Sequence, residues 1–420
     1  MAEVTDFNIN NIPFGIISTA DNPHHRPATI IENTVIDLCA LENEHAFTNI
    51  PSYPTTNLPF QCTTLSRLAS LSHTTRLAVR KRIQQIYLNK NTAKHDGAVD
   101  KIFWCTADVT NHLPFESRVY TDYVSSLGHM ANIQSILSPP PHTQLSPLYH
   151  APLGYHSNPR SIIISGTPVS RFIGPIEGQF QTEMAARVGP SEQFDFEVEL
   201  GIYIGRESSG EAVGVEEADD YVFGFVLLND WSARDIQRAE SGGPTGPFLA
   251  KSGAVSISPW VVTLDAVEEA RTVRNAKVGA GAPEGEYLKD ANGMGALDIR
   301  CSARWERGGR EFEVCEADYS EMYWGYRQLI AHQTMNGARV GTGDLIGTGT
   351  MSKFESDEMG RACLFERNYN GSKGIDCGEG DQRTWLEDGD EVSLSGWVFN
   401  SKTGVKMFGF GSCVGTVAPR

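Results

Sequence analysis

The stretch YVFGFVLLNDWSARDIQ, residues 221–237, decides the fold because a strongly apolar run ends abruptly in polar residues. The run Tyr221–Leu228 has no polar side, which is typical of a strand buried on both faces. A helix that starts directly after it would place Asp230, Arg234 and Gln237 on one face. A simple helix cap by Asp230 is compatible with this pattern. Buried strands that end in polar clusters commonly place functional groups at a rim, so we expect a site here.

The rest of the chain divides into two parts around this stretch. Residues 1–117 read as a small mixed segment, whereas residues 118–420 contain many short β-rich runs separated by Gly and Pro. A length of 420 residues also exceeds the usual size of a single core. The sequence therefore predicts a mixed α+β fold, mainly β, with a small N-terminal domain (1–117) and a large C-terminal β-roll or barrel domain (118–420).

Two longer helices are predicted from apolar periodicity. One covers about residues 64–88, where the apolar positions keep helical spacing. Its basic run, Arg76–Arg82, is interpreted as the solvent-exposed face of that helix. The other is expected to start at Asp318, whose side chain can cap the first turn, and to stop at Asn336-Gly337.

Composition excludes several classes of function. A formal net charge of −17 argues against nucleic acid and anionic membrane surfaces as partners, since both require clustered Lys and Arg. No apolar stretch approaches the roughly 20 residues that span a bilayer, and the first thirty residues do not have the apolar core of a signal peptide. The eight cysteines show no C-x-x-C spacing. We therefore expect a cytoplasmic protein with reduced thiols.

The segment FDFEVEL, residues 194–200, alternates apolar and acidic residues. As a strand it would project its acids to one side, with Glu197 and Glu199 roughly 7 Å apart. Two carboxylates at that distance can share Ca²⁺ or Mg²⁺, which prefer carboxylate oxygens. A half-buried strand with a solvated acidic face is the alternative. Another carboxylate, Asp122, is followed seven residues later by His129, although spacing alone cannot bring these pieces together.

Taken together, these residues resemble the fumarylacetoacetate hydrolase family over nearly the whole chain. The strings that carry the resemblance occur in order: Leu-Gly-Tyr-His at 153–156, Ser-Gly-Thr-Pro at 165–168, the stretch 229–237, Gly-Pro-Phe-Leu at 246–249, Ile-Ser-Pro-Trp-Val-Val at 257–262, Met-Tyr-Trp at 322–324, Gly-Asp-Leu at 343–345 and Asp-Gly-Asp-Glu-Val at 388–392. Pro13-Phe14-Gly15 and the overall length look like the two-domain eukaryotic type of this family.

The resemblance implies a role for each candidate residue. It implies that a divalent cation, Ca²⁺ or Mg²⁺, is bound by four carboxylates, Asp122, Glu197, Glu199 and Asp230. It implies a general base, His129, oriented by Glu366. It further implies that the oxyanion and the leaving carbanion are held by Arg234, Gln237 and Lys251, and that Thr350 contacts substrate. It also suggests a homodimer.

The sequence departs from the family pattern where substrate is recognised. Val124 stands where the family has a substrate-binding tyrosine. The nearby Tyr123 would not take its place, because in a strand it would face the other way. Ser241 replaces a second substrate-binding tyrosine. The arginine that pairs with a substrate acid in the family is absent from the region of residues 136–139. Loss of a buried ionic partner costs several kcal/mol. We therefore predict a β-dicarbonyl substrate other than fumarylacetoacetate, larger or less acidic.

Three hypotheses for the function follow. The first is a metal-dependent hydrolase that cleaves a carbon–carbon bond in a β-diketone or acylpyruvate-like substrate. The second keeps the metal enolate but uses it for decarboxylation, isomerisation or carbon–carbon bond formation. The third is a binding protein on the same fold, which the retained set of metal ligands disfavours.

Overall fold

The computed structural model describes residues 4–90, 102–137, 146–176, 187–240, 246–275, 277–278 and 285–419. The fold is mainly β, with a small N-terminal domain and a large, curled C-terminal β domain, which confirms the predicted fold class. The exact division after residue 117 stays a prediction. Among the described residues, no helix has both the length and the apolar character needed to span a bilayer.

The N-terminal domain is built on a five-stranded antiparallel sheet in the order β4-β3-β2-β1-β5. Its strands are β1 (Phe14–Thr19), β2 (Asn22–Ile31), β3 (Thr34–Asp37), β4 (Phe103–Cys105) and β5 (Val109–His112). Its helices are α1 (Leu38–Asn43), α2 (Ser66–Ala69) and α3 (His73–Leu88).

The single helix predicted over residues 64–88 is wrong in one respect, because the chain forms two helices there. The side chain of Ser72 accepts a hydrogen bond from the backbone N–H of Thr75 at 3.2 Å and thereby starts α3 as a new helix. The basic run is also only partly exposed. Arg80 is buried and donates to the carbonyl oxygen of Ile12 at 3.3 Å, so it connects α3 to the segment that precedes β1.

The large domain contains an eight-stranded sheet that carries the candidate site. Seven of its strands follow the order β7-β6-β22-β13-β14-β16-β8, and β17 also pairs with β14. These strands are β6 (Tyr120–Val124), β7 (Leu153–Ser157), β8 (Ile162–Ile164), β13 (Val198–Ile204), β14 (Val222–Asp230), β16 (Val255–Ile257), β17 (Val262–Thr263) and β22 (Leu345–Gly347). As predicted, β14 is buried along its whole length.

A second sheet of five strands, in the order β21-β20-β25-β26-β9, curls against the first. Its strands are β9 (Val169–Ser170), β20 (Ile299–Arg307), β21 (Arg310–Asp318), β25 (Glu391–Phe399) and β26 (Lys406–Ala418). Short two-stranded pairs complete the domain: β10 (Ile173–Ile176) with β11 (Arg187–Pro190), β12 (Phe194–Asp195) with β15 (Ser232–Ala233), β18 (Arg271–Thr272) with β19 (Ala296–Leu297), and β23 (Ile375–Asp376) with β24 (Gln382–Arg383).

Aromatic rings join the N-terminal domain to the eight-stranded sheet. The ring centroid of Phe115 lies 4.6 Å from that of Tyr203 and 5.7 Å from that of Phe223. Phe14 of β1 contacts the same Phe223, at 6.3 Å. Because these rings are fully or almost fully buried, the N-terminal domain covers one face of the sheet.

Short helices connect the strands of the large domain. They are α4 (Leu127–Leu137), α5 (Ser146–His150), α6 (Arg234–Glu240), α7 (Tyr326–Thr334) and α8 (Leu364–Arg367). The predicted helix start at Asp318 is wrong, since Asp318 caps only a single 3₁₀ turn at residues 319–321. Two backbone N–H groups, of Tyr323 and Trp324, turn instead to the carbonyl oxygen of Ser125, so α7 begins only after Gly325.

Candidate functional site

Three buried carboxylates meet where neighbouring strands of the eight-stranded sheet lie side by side. Asp122 comes from β6, Glu199 from β13 and Asp230 from the end of β14. One oxygen of each can be chosen such that all three lie within 4.8 Å of one another. The sheet order β6-β22-β13-β14 explains this convergence, because residues far apart in sequence occupy adjacent strands.

Two glycines border these carboxylates. A Cβ on Gly347 of β22 would lie 2.5 Å from Asp122 Oδ1 and 3.1 Å from Glu199 Oε2. Gly349 has a φ of +77°, which favours glycine, and its backbone N–H donates to Glu199 Oε2 at 2.9 Å. Gly347 therefore makes room for the acidic cluster because it lacks a side chain, and Gly349 contributes a backbone donor to it.

Each of the three carboxylates has one oxygen that is engaged and one that is not. The engaged oxygens accept hydrogen bonds from the Tyr155 hydroxyl to Asp122 (2.7 Å), from the Gly349 N–H to Glu199, and from Lys251 Nζ to Asp230 (2.6 Å). The other three oxygens, Asp122 Oδ1, Glu199 Oε1 and Asp230 Oδ1, are buried and have no hydrogen-bond partner in the described parts of the chain. Unpaired buried carboxylate oxygens are costly, so this donor set fits a hard cation.

Electrostatics favours the same conclusion. Burial raises the pKa of Asp122, Glu199 and Asp230, and the neighbouring carboxylates raise the pKa of Glu199 and Asp230 further. Lys251 counteracts this effect on all three carboxylates but does not cancel it. A divalent cation among these oxygens would remove the repulsion that disfavours their charged forms.

Glu197, the fourth predicted metal ligand, has a different environment. It lies between β12 and β13, where the strand considered over residues 194–200 is interrupted. Arg234 Nη2 donates to Glu197 Oε1 at 2.7 Å, and Lys251 Nζ donates to Oε2 at 2.5 Å. Burial alone would raise the pKa of Glu197, but Lys251 and Arg234 outweigh it and hold that pKa well below its usual range. Both oxygens of Glu197 thus already have cationic partners.

The predicted oxyanion-holding residues form a compact network around Glu197. Arg234 also donates through Nε to Asp195 at 2.8 Å and through Nη1 to Gln237 Oε1 at 3.0 Å. Burial opposes the charge of Lys251, but Asp230 and Glu197 raise the pKa of Lys251 above its usual value. The ammonium and guanidinium groups are therefore kept charged at the edge of the carboxylate cluster.

His129 and Glu366 form a buried pair beside this network. His129 Nδ1 lies 2.8 Å from Glu366 Oε2, and the side chains are 7% and 0% exposed. Asn132 Nδ2 donates to the other Glu366 oxygen at 2.7 Å, and Ser352 Oγ donates to Oε2 at 2.7 Å. Burial would raise the pKa of Glu366, but His129, Asn132 and Cys363 hold it below its usual value. The ionised carboxylate therefore holds the imidazole through Nδ1, so that Nε2 is the ring nitrogen left for a substrate or water.

One cavity of about 280 Å³ connects these groups. Most of the predicted site residues line it, namely Asp122, Val124, His129, Glu197, Arg234, Gln237, Lys251 and Thr350. Glu199, Asp230 and Glu366 lie directly behind this lining, in contact with it through the hydrogen bonds given above. Ser241 falls outside the described residues.

Several residues at the site have no role in the sequence-based prediction. Tyr155 donates its hydroxyl to Asp122 and, at 3.3 Å, to Asp230. Asn132 and Ser352 orient Glu366, and Cys363 donates its thiol to the same carboxylate at 3.1 Å. A helical spacing of three residues between His129 and Asn132 is the only signal that could have identified one of them. Hydroxyl and thiol donors leave no comparable pattern in a sequence.

Comparison with known proteins agrees with the architecture. The family described as "Fumarylacetoacetase N-terminal" matches residues 10–114, and the family described as "Fumarylacetoacetate (FAA) hydrolase C-terminal" matches residues 118–418. Fumarylacetoacetase from Aspergillus fumigatus is 34% identical over 432 residues, which cover 98% of this chain and 96% of that protein. Fumarylacetoacetase from Rattus norvegicus is 33% identical over 424 residues, which cover 100% of this chain and 98% of the rat protein.

A solved structure has the same fold at lower sequence identity. Fumarylacetoacetate hydrolase from the psychrophile Exiguobacterium antarcticum superimposes with a TM-score of 0.53 at 14% identity, covering 97% of this chain and 100% of that one. At this identity the likeness concerns the fold alone. The full-length relatives and the two matching domains identify the protein as a hydrolase-type enzyme that belongs to the fumarylacetoacetate hydrolase family.

Proposed function

We propose that the protein is a metal-dependent hydrolase that cleaves a carbon–carbon bond in a β-diketone or acylpyruvate-like substrate other than fumarylacetoacetate. One observation carries this proposal: the His129–Glu366 pair and the carboxylate cluster border the same cavity. A base beside a cation site provides the two functions that this reaction needs. They are activation of water and stabilisation of an enolate.

The proposed hydrolysis forms one carbon–oxygen bond and breaks one carbon–carbon bond. Water adds to one carbonyl carbon and gives one proton to His129, and the bond from that carbon to the carbon between the two carbonyls breaks. The electron pair of the broken bond is held as an enolate of the second carbonyl until the imidazolium of His129 returns the proton to the α-carbon of the enolate. A divalent ion at the carboxylate cluster would polarise the carbonyl oxygens and stabilise negative charge on them. The ligands that we assign to it are Asp122, Glu199 and Asp230. Glu197, the fourth ligand predicted from the sequence, would have to release Arg234 or Lys251 before it could bind the ion.

The protein's own residues account for the proton transfers and the positioning. His129 accepts the proton of the attacking water at Nε2, and Glu366 stabilises the imidazolium that forms. Lys251 and Arg234 lie at the cavity wall with their charges maintained by buried carboxylates, so they can stabilise a developing oxyanion. Gln237 and Thr350 line the same wall and can donate hydrogen bonds to substrate oxygens.

The departure from fumarylacetoacetate as substrate is supported by the cavity wall. Val124 lines the cavity at the position where the family has a tyrosine. Tyr123 also lines the cavity, but its hydroxyl donates to the carbonyl oxygen of Leu329 on α7 at 3.4 Å. A hydrogen-bond donor for a substrate acid is thus lacking at this position.

We propose Ca²⁺ or Mg²⁺ as the ion, because the unpaired donors are all carboxylate oxygens. We also propose a homodimer, on the resemblance to the family, and a small N-terminal domain that ends near residue 117. A cytoplasmic location is supported by the eight cysteines, all of which are free thiols.

The proposal is tested by incubating the purified protein with acylpyruvates and β-diketones in ¹⁸O-labelled water, with Mg²⁺, Ca²⁺ or a chelator. We expect metal-dependent cleavage with one labelled oxygen in the carboxylic acid product. Metal-dependent turnover without label would favour the alternative metal-enolate chemistry. Cleavage that is unaffected by the chelator would contradict the assigned cation site.

A further inference from the structure

The cavity beside His129 has one wall that the hydrolytic chemistry does not use. Five apolar side chains form it: Val124, Ile133, Leu137, Pro247 and Phe365. Helix α4 contributes the central part, because Ile133 and Leu137 follow His129 at four and eight residues and so lie on the same helical face. His129, Ile133 and Leu137 thus form a stripe along α4. At 1.5 Å per residue, this stripe extends about 12 Å from the imidazole toward solvent.

The solvent-exposed fraction of the residues in the stripe increases from His129 outward. Counted over the whole residue, His129 is 5% exposed, Ile133 is partly buried and Leu137 is 53% exposed. An apolar side chain that is half exposed at the mouth of a cavity gains little from folding but can cover an apolar ligand. The stripe thus provides an apolar surface that leads from solvent to His129. A substrate tail can lie on this surface while the head group of the substrate reaches His129.

The cations of the same cavity are already engaged. Arg234 pairs with Asp195 and Glu197, and Lys251 pairs with Glu197 and Asp230. Among the described residues, the one further arginine or lysine in the lining is Arg238. Its guanidinium donates to Asn370 Oδ1 at 3.0 Å and to Gln193 Oε1 at 2.6 Å. A carboxylate on the substrate tail would therefore lose its hydration against an apolar wall, and it would have to compete for a cation that is already bonded.

We infer that the substrate of this cavity carries an apolar tail, an alkyl or aryl group, and that Ile133 and Leu137 determine this specificity. The inference depends on the proposed function only for the head group, the β-dicarbonyl. The tail is assigned from the wall alone. If each methylene of the tail is buried as in a protein core, kcat/KM should rise about fourfold per added carbon until the cavity is filled.

The test compares three series of acylpyruvates with equal chain lengths and different ends: a methyl group, a carboxylate, and the methyl ester of that carboxylate. For the wild-type protein with Mg²⁺ or Ca²⁺ we expect the ester to exceed the acid at least tenfold in kcat/KM. The Leu137→Arg protein supplies a cation at the end of the stripe, and the ratio of acid to ester should rise at least tenfold. Ile133→Arg should act in the same direction.

Two further variants separate this inference from general charge effects. Ser135 is exposed on the same helix and does not line the cavity, so Ser135→Arg adds the same charge elsewhere and should leave the ratio unchanged. Arg238→Gln should also leave it unchanged. The inference is overturned if the wild-type protein prefers the acid, if Arg238→Gln removes such a preference, or if Leu137→Arg behaves like Ser135→Arg.

Failure of the proposed function has a different outcome. If no member of the panel is cleaved, the hydrolase assignment fails, but the tail can still be decided by titration calorimetry with the same compounds. Tighter binding of the ester than of the acid, inverted by Leu137→Arg, supports the apolar tail. Tighter binding of the acid contradicts it.

Discussion

The hydroxyl of Tyr155 donates to Asp122 Oδ2 at 2.7 Å, which leaves Asp122 Oδ1 buried and without a hydrogen-bond partner among the described residues. The same hydroxyl lies 3.3 Å from Asp230 Oδ2, so one side chain orients two carboxylates that come from different strands. Groups that orient metal ligands in this way typically change metal affinity by a factor of about 10 to 100.

Replacing Tyr155 therefore tests how the carboxylates are oriented. For Tyr155→Phe we expect about tenfold weaker Mg²⁺ or Ca²⁺ binding by calorimetry. Lost activity should return at higher metal concentration. Tyr287→Phe serves as the control, because the Tyr287 hydroxyl donates to the carbonyl oxygen of Ala331 and the residue does not line the cavity. Unchanged metal affinity in Tyr155→Phe would show that the carboxylates do not need this donor.

The space left by Gly347 provides a second test. An alanine Cβ there would lie 2.5 Å from Asp122 Oδ1, so Gly347→Ala should displace that carboxylate and weaken metal binding at least tenfold. Overpacking should also lower the free energy of unfolding by about 1–3 kcal/mol. Gly189→Ala is the matched control, because among the described residues its Cβ would meet only Ile176, at 3.7 Å. Equal metal affinity in the two variants would contradict the proposed cation position.

The base is tested by His129→Asn. Loss of a general base commonly lowers kcat by about 100-fold or more. We expect that loss in steady-state kinetics, together with unchanged Mg²⁺ or Ca²⁺ binding, because His129 bonds to Glu366 and not to the carboxylate cluster. His45→Asn replaces an exposed histidine and should retain full activity. A fully active His129→Asn protein would require a different base.

The pKa of Glu366 predicts a pH dependence of stability. Although burial acts to raise it, His129 and the other hydrogen-bond donors hold the pKa of Glu366 below its usual value. The stabilisation is therefore present above the unfolded pKa of about 4.3 and is lost as the pH falls through the lower folded pKa. Glu366→Gln should lower the free energy of unfolding by about 2–3 kcal/mol at neutral pH, and by less near pH 3. Denaturant titrations that give the same difference at both pH values would refute this explanation.

Sequence patterns identified the parts of the site that repeat along single elements. The apolar run 221–228 predicts the buried strand β14, which the structure confirms. The alternation in residues 194–200 favours one strand with its acids on one side, but the structure divides this stretch into β12 and β13. The interruption at Glu197 could not be foreseen, because the contacts of that residue come from elsewhere in the fold: its backbone N–H donates to the Asn229 side chain, and its carboxylate accepts from Arg234 and Lys251.

Local signals also failed where tertiary contacts took over. Asp318 has the sequence of a helix cap, yet it caps only a 3₁₀ turn. The backbone N–H groups of Tyr323 and Trp324 then donate to the carbonyl oxygen of Ser125, and α7 begins only after Gly325. The orienting residues Asn132 and Ser352 were missed because a single amide or hydroxyl is common throughout the chain. Their role becomes visible only when Glu366 is placed between them.

The central claim is that three buried carboxylates hold one divalent cation, and calorimetric titration of Mg²⁺ and Ca²⁺ tests it most directly. We predict a single site in the wild-type protein and no detectable binding in Glu199→Gln, which keeps the side-chain shape but removes the charge. Glu313→Gln, on an exposed strand position, should bind as the wild type does. Absence of binding to the wild-type protein, or equal affinity in Glu199→Gln, would contradict the account.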